Sequence, residues 1–147
     1  MYKKILLPVD GSAASLRAVE HAIELAKVFG AEIRALYVMN EVAVAALLKF
    51  SGKGKDEVLK DYEAAAEKIL KGVVEKCKAA GVKVEGCVRE GMPAEEIVLE
   101  AAESGADITV MGTHGYGSKK RKERPLIGST AERVVATNKC PTLVIPS

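Results

Sequence analysis

The stretch from Gly112 to Thr130, GTHGYGSKKRKERPLIGST, gathers the residue types most suited to holding a phosphate. Glycines at Gly112, Gly115 and Gly117 remove side chains that would keep an anion from the backbone N–H groups, and they permit the φ > 0 conformations that turn successive amides inward. Gly128-Ser129-Thr130 stand where a helix is expected to begin. The free N–H groups and macrodipole of such a helix favour an anion by about 0.3–1 kcal/mol per exposed charge. Ser129 and Thr130 add hydroxyl donors. Between the two ends, Lys119, Lys120, Arg121, Lys122 and Arg124 can pair with phosphate oxygens.

Named phosphate motifs fit this stretch less well. GTHGYGSK has the glycine spacing of a P-loop, but Ser118-Lys119 reverses the required Lys-[Ser/Thr] order and the segment follows the fourth expected strand rather than the first. Gly115-Tyr116-Gly117 begins a dinucleotide fingerprint, yet Lys120 stands in place of its third glycine. Each feature also has a plain structural reading. Gly128-Ser129 is then an ordinary helix cap, Asp10 another, His114 a loop histidine without a task, and the basic run a solvated loop. Tyr116 is the sole aromatic beside that run, so a base-stacking surface is poorly supported and nucleic acid is not the expected partner.

The elements that must position this loop alternate along the chain. KKILLPV (3–9) is a short apolar run ended by Pro8 and by Asp10-Gly11-Ser12, a turn and helix-start signal. Ser12 or Asp10 caps the helix that follows, in which Leu16, Val19, Ala22, Ile23 and Ala26 recur at helical spacing until Gly30. His21 sits mid-helix and reads as structural. EIRALYVMN (32–40) is a second strand, apolar on both faces and therefore expected inside the sheet.

Within 41–57, EVAVAALLKF suggests a short helix and SGKGKD a solvated loop. A long helix spans about Asp56 to Ala80, with Val58, Tyr62, Ala66, Ile69, Val73 and Cys77 along one face, and Gly81 ends it. VKVEGCVRE (82–90) alternates as a third strand, and GMPAEEIVLEAAESGA opens a helix with Pro93 in its first turn. DITVMG (107–112) is a fourth, buried strand; a helix over about Thr130 to Asn138 and a strand TLVIP (142–146) complete the chain.

The order β-α-β-α-β-α-β-α-β, with no internal repeat and no linker, implies one α/β domain over 1–147: a five-stranded doubly wound parallel sheet with helices on both faces. Two strand orders are common, 3-2-1-4-5 and 2-1-3-4-5. The first, Rossmann-like, is the one expected. Ligands then sit beyond strands one and four, where Asp10-Gly11 and Gly112–Gly115 face each other. A phosphoacceptor receiver domain would want an Asp after strand three and a Lys after strand five; VREGM and IPS supply neither.

Composition narrows the function classes. An apolar share of 48% and a charged share of 29% are ordinary for a globular chain, and a net charge of +2 exerts no general pull on nucleic acid or membrane. No apolar run approaches the roughly 18 residues that span a bilayer, and MYKKILLPVDGS is too short and too early-charged for a signal peptide, so a cytoplasmic location is expected. Cys77, Cys87 and Cys140, with His21 and His114, lack zinc-site spacing and read as packed, reduced thiols.

Four segments together give the chain a family likeness: KKILLPVDGS, ALYVMN, GMPAEEI…GADITVMGTHG and GSTAERVV…CPTLVIP. The chain resembles a single-domain universal stress protein over nearly its whole length. The nucleotide-binding branch of that family carries G-x2-G-x9-G-[ST]. Gly112, Gly115, Gly128 and Ser129 match both ends, with twelve residues from Tyr116 to Ile127 where the family has nine. The expectation is that this longer basic loop bulges outward and leaves the cradle intact.

The resemblance implies an adenine nucleotide, ATP or AMP/ADP, with or without Mg or Mn. Pro8, Val9 and Asp10 would flank the nucleoside and the Val38 backbone would read the adenine edge. Gly112, Thr113, His114, Gly115, Tyr116, Gly117, Ser118, Gly128, Ser129 and Thr130 would surround the phosphates. It also implies a homodimer through strand 142–146, an apolar edge whose unpaired backbone invites a twofold mate. No constellation specifies hydrolysis, which needs a positioned water, an orienting group and a countercharge. The expected function is thus a nucleotide-binding sensor or switch in a stress response. The alternatives are a dimeric interaction module that binds no nucleotide, and a slow ATPase.

Overall fold

The computed structural model describes residues 1–113 and 127–147. Its strands are β1 (Lys4–Pro8), β2 (Glu32–Asn40), β3 (Val84–Gly91), β4 (Ile108–Gly112) and β5 (Thr142–Ile145). Its helices are α1 (Ala13–Phe29), α2 (Glu41–Phe50), α3 (Lys55–Ala79), α4 (Pro93–Ser104) and α5 (Ser129–Thr137). All pairings are parallel and the order is β3-β2-β1-β4-β5, as the sequence implies. Among the described residues no helix is long and apolar enough to cross a membrane.

Period-two alternation splits the core into two layers. Ile5, Leu7, Val9, Ile33, Ala35, Ile108 and Val110 face α1 and α3, where Val19, Ala22, Leu70, Val73 and Cys77 meet them. Leu6, Leu36 and Met111 face α4 and α5, against Ala94, Ile97, Ala101, Ala131 and Val134. The helix ends follow their local chemistry. Ser12 caps α1 by accepting the Ser15 N–H, Gly30 closes it at φ 65°, and Pro93 opens α4. Asp10 is not the cap; its Oδ1 accepts the Ser12 N–H at 2.8 Å and fixes the turn before it.

EVAVAALLKF forms α2, the short helix expected there, capped by Asn40, whose side chain accepts the Val42 and Ala43 N–H groups. Elsewhere the structure departs from the sequence reading. Leu16 is exposed, because it lies at the margin of the buried stripe formed by Ala14, Ser15, Ala18, Val19, Ala22, Ile23 and Ala26. β2 has the expected limits, and the other strands differ from theirs by one or two residues at one or both ends, as fraying ends do. Cys77, Cys87 and Cys140 are free thiols.

One interaction was not foreseen at all. Arg34, inside an otherwise apolar strand, donates Nε–H to Glu100 on α4 at 2.9 Å, and Arg89 reaches Glu96, Glu100 and Glu103 at 3.0, 3.2 and 2.9 Å. Glu100 is buried, so this lattice of charges must be complete to be tolerated. It clamps α4 to β2 and β3. Burial pushes the neighbouring Cys87 thiol up, against a smaller opposing pull from Arg34, so it is no thiolate nucleophile at neutral pH.

Candidate functional site

The carboxyl ends of β1 and β4 lie side by side, where the strand order reverses. The chain leaves β1 through buried Pro8 and Val9, and the Val9 N–H donates to Leu36 O at 2.8 Å. Beyond that bond β1 has ended, while β2 runs on to Asn40. Because Leu36 O faces β1, the period of two turns the Val38 peptide groups to the same flank, past the last paired residue of β1. Asp10 and Gly11 then turn the chain into α1, with Gly11 at φ 83°.

Ser15, absent from the expected set, organises this turn. Its hydroxyl donates to Ser12 O at 3.1 Å and accepts the Asp10 N–H at 3.4 Å. The Ser12–Ser15 spacing, one helical turn with a hydroxyl at each end, was the signal that could have found it.

Gly112 departs from its expected role. It has no positive φ; a Cβ there would stand 2.7 Å from the Ala14 carbonyl carbon and 2.9 Å from the Ser15 nitrogen. Its value is close approach: with no side chain, the end of β4 lies directly on the first turn of α1. Thr113, buried, ties the next two pieces. Its N–H donates to Ile145 O at 2.9 Å, and its carbonyl accepts the Gly128 N–H at 2.7 Å. That second bond pins together the two ends of the loop between residues 113 and 128. Gly128, at φ −75°, is the N-cap of α5, and a glycine offers no side-chain acceptor for its first N–H groups. Ser129 and Thr130 form the first turn.

The structure therefore brings Pro8, Val9, Asp10, Gly112, Thr113, Gly128, Ser129 and Thr130 to one end of the sheet, with Val38 on its β2 flank. His114, Gly115, Tyr116, Gly117 and Ser118, and the basic run after them, lie outside the described residues.

This architecture has close counterparts among known proteins. The sequence model of the universal stress protein family matches residues 1–146. The chain belongs to the universal stress protein family. The universal stress protein MJ0531 of Methanocaldococcus jannaschii is 41% identical over 146 residues, covering 99% of this chain and 82% of that one. The solved structure of MJ0577, from the same organism, superposes with a TM-score of 0.86 at 30% identity, over 100% of this chain and 97% of its own. A universal stress protein solved in complex with cAMP superposes with a TM-score of 0.71 at 26% identity, covering 99% of this chain and 97% of that one.

Proposed function

We propose that this universal stress protein binds an adenine nucleotide, ATP or AMP/ADP, and acts as a sensor or switch rather than as a dedicated enzyme. The observation that carries the reading is the Thr113–Gly128 bond, which holds the glycine-bearing end of β4 against the amino end of α5. Phosphates would lie at that junction, on the N–H groups of Gly128, Ser129 and Thr130 and the hydroxyls of the last two, with Thr113, His114, Gly115, Tyr116, Gly117 and Ser118 as the further contacts the family motif implies. The ribose would sit by Pro8, Val9 and Asp10. Adenine would use the Val38 peptide flank, where backbone donors and acceptors have no strand on that side. The family member solved with cAMP supports an adenine nucleotide as the ligand class.

Among the described residues no three His, Cys, Asp or Glu side chains are grouped to hold a metal, so Mg or Mn would enter on the phosphate oxygens. The exposed β5 edge, with Leu143 outward, supports a homodimer formed by pairing this strand with its twofold mate.

Calorimetric titration of nucleotide-free protein with Mg·ATP tests the reading. The expected dissociation constant is near micromolar, about −8 kcal/mol, and the Gly115→Val, Ser129→Ala double variant should lose it. No heat and no thermal shift in the wild type would leave the dimeric interaction module in its place. Steady release of inorganic phosphate would instead make the protein a slow ATPase.

A further inference from the structure

Helix α2 is built the wrong way round for a surface helix. It lies against α3 and the end of β2 through Val44, its one buried side chain, with Ala43 and Leu48 half-covered. A helix at the surface ordinarily turns its charges outward. Opposite Val44 the exposed residues are Val42, Ala45, Ala46, Lys49 and Phe50, positions spaced i, i+3, i+4, i+7 and i+8, while Glu41 and Leu47 are exposed on the flanks. Val42 is 62% exposed and Phe50 79%, and the lone charge on the face, Lys49, lies with its Nζ 5.5 Å from the centre of the Phe50 ring. An apolar stripe of this regularity is a docking face rather than scattered exposure.

The charges at its two ends identify what covers it. Glu41 stands at the first turn and Lys49 in the last, and among the described residues neither has an ion-pair partner. In an antiparallel pair about a twofold axis through Ala45 and Ala46, the Glu41 of one copy falls opposite the Lys49 of the other, twice over. The alanines at the midpoint let the two backbones approach, and Val42 of each copy meets Phe50 of its mate. An anionic lipid surface fits less well, because Lys53, the next cation along, is already held by Asp61 at 2.9 Å and by Glu57 at 3.9 Å.

We infer that α2 is a self-association surface, separate from the β5 edge, through which a second copy of this chain pairs antiparallel on the Val42–Phe50 stripe. A ten-residue helix pair falls well short of the roughly 1,600 Å² of a standard interface, so the contact is weak by itself. Its effect is to join units already formed by another contact, raising their order at high local concentration.

The test is sedimentation velocity over a concentration series, in the wild type and in a Val144→Pro background that weakens pairing through the β5 edge. Phe50→Asp should weaken the concentration-dependent association by about tenfold or more. Glu41→Lys alone and Lys49→Glu alone should each weaken it, since each sets like charges against each other in the symmetric pair. A mixture of these two single variants should restore it, because each then meets its opposite. Circular dichroism of each variant checks that α2 and the fold persist, and the mixing result cannot arise from damage to one chain. Association that ignores Phe50→Asp, or a mixture no better than its components, would overturn the proposal. So would Phe50-dependent co-sedimentation with phosphatidylglycerol vesicles in the absence of self-association, which would give the stripe to a membrane surface.

Discussion

The two ends of the β1–β4 pair are built from different residues and meet opposite ends of the helices. At the amino end, Asp107 Oδ2 accepts the N–H groups of Lys3 and Lys4, at 3.0 and 2.9 Å. Lys4 Nζ donates to Ser104 O at 2.9 Å, and Glu32 takes Lys4 and Lys83 at 3.6 and 3.5 Å. A cavity of about 470 Å³ opens there, lined by Lys3, Lys4, Glu32, Lys83 and Asp107 and by Gly30 and Gly105. It lies where α1 and α4 end. The carboxyl ends of these helix dipoles disfavour an anion, and Lys4 already answers the Ser104 carbonyl. At the carboxyl end the same strands deliver helix starts instead, at Ser12 and Gly128, with N–H groups turned outward. A parallel sheet wound with helices sorts its helix polarity this way, so the helix starts that favour an anion gather at the carboxyl end.

Glycine substitutions break this comparison most sharply. Gly112→Val should destabilise the protein by about 3 kcal/mol in urea denaturation, because the new side chain must displace the Ala14–Ser15 backbone rather than a movable side chain. Gly105→Ala, at the other end, should cost about 1 kcal/mol: nothing lies within 4 Å of a Cβ there, and the whole penalty is the left-handed φ of 70°. If the two costs were equal, close approach would not be what selects glycine at the end of β4.

The smallest effect is electrostatic. The N–H groups of Lys4 and then Lys3 hold the Asp107 carboxyl below the usual carboxylate range. A carboxyl depressed in the folded state stabilises above its unfolded pKa of about 3.9, and that contribution fades as pH falls through the folded value. Asp107→Asn should therefore lower the melting temperature slightly at pH 7, and the gap to wild type should close as the pH is taken below about 4. A gap that persists in acid would mean the loss is one of packing.

Much of this was legible along the chain, and for identifiable reasons. Short apolar runs ended by Pro8 or Gly112 read as buried strands, and Gly30, Gly81 and Pro93 marked helix limits, because each acts through its own backbone torsions. Alternation and handedness left two strand orders open, of which the structure has the expected 3-2-1-4-5. The Arg34–Glu100–Arg89 clamp did not show itself. Its partners lie on β2, β3 and α4, and an arginine in an apolar strand reads as a defect until the helix that neutralises it is in place. Ser15 was missed for a smaller reason, as its hydroxyl matters through a turn closed by Asp10 and Ser12.

Gly112 shows where the sequence stops and the tertiary structure takes over. The sequence alone determined that a glycine-rich turn leaves the fourth strand, that a helix begins at Gly128-Ser129, and that both belong to one doubly wound sheet. These are consequences of local torsion, period and chain order. It could not say that Gly112 is a glycine for the sake of Ala14, nearly a hundred residues earlier, or that Thr113 joins the last strand to the start of α5. Nor could it say that the outer face of α2 is its apolar one, since a stripe of Val42, Ala45, Ala46 and Phe50 looks like core until the described residues are seen to leave it exposed. Torsional preference is written residue by residue. Proximity exists only once the chain has folded back on itself.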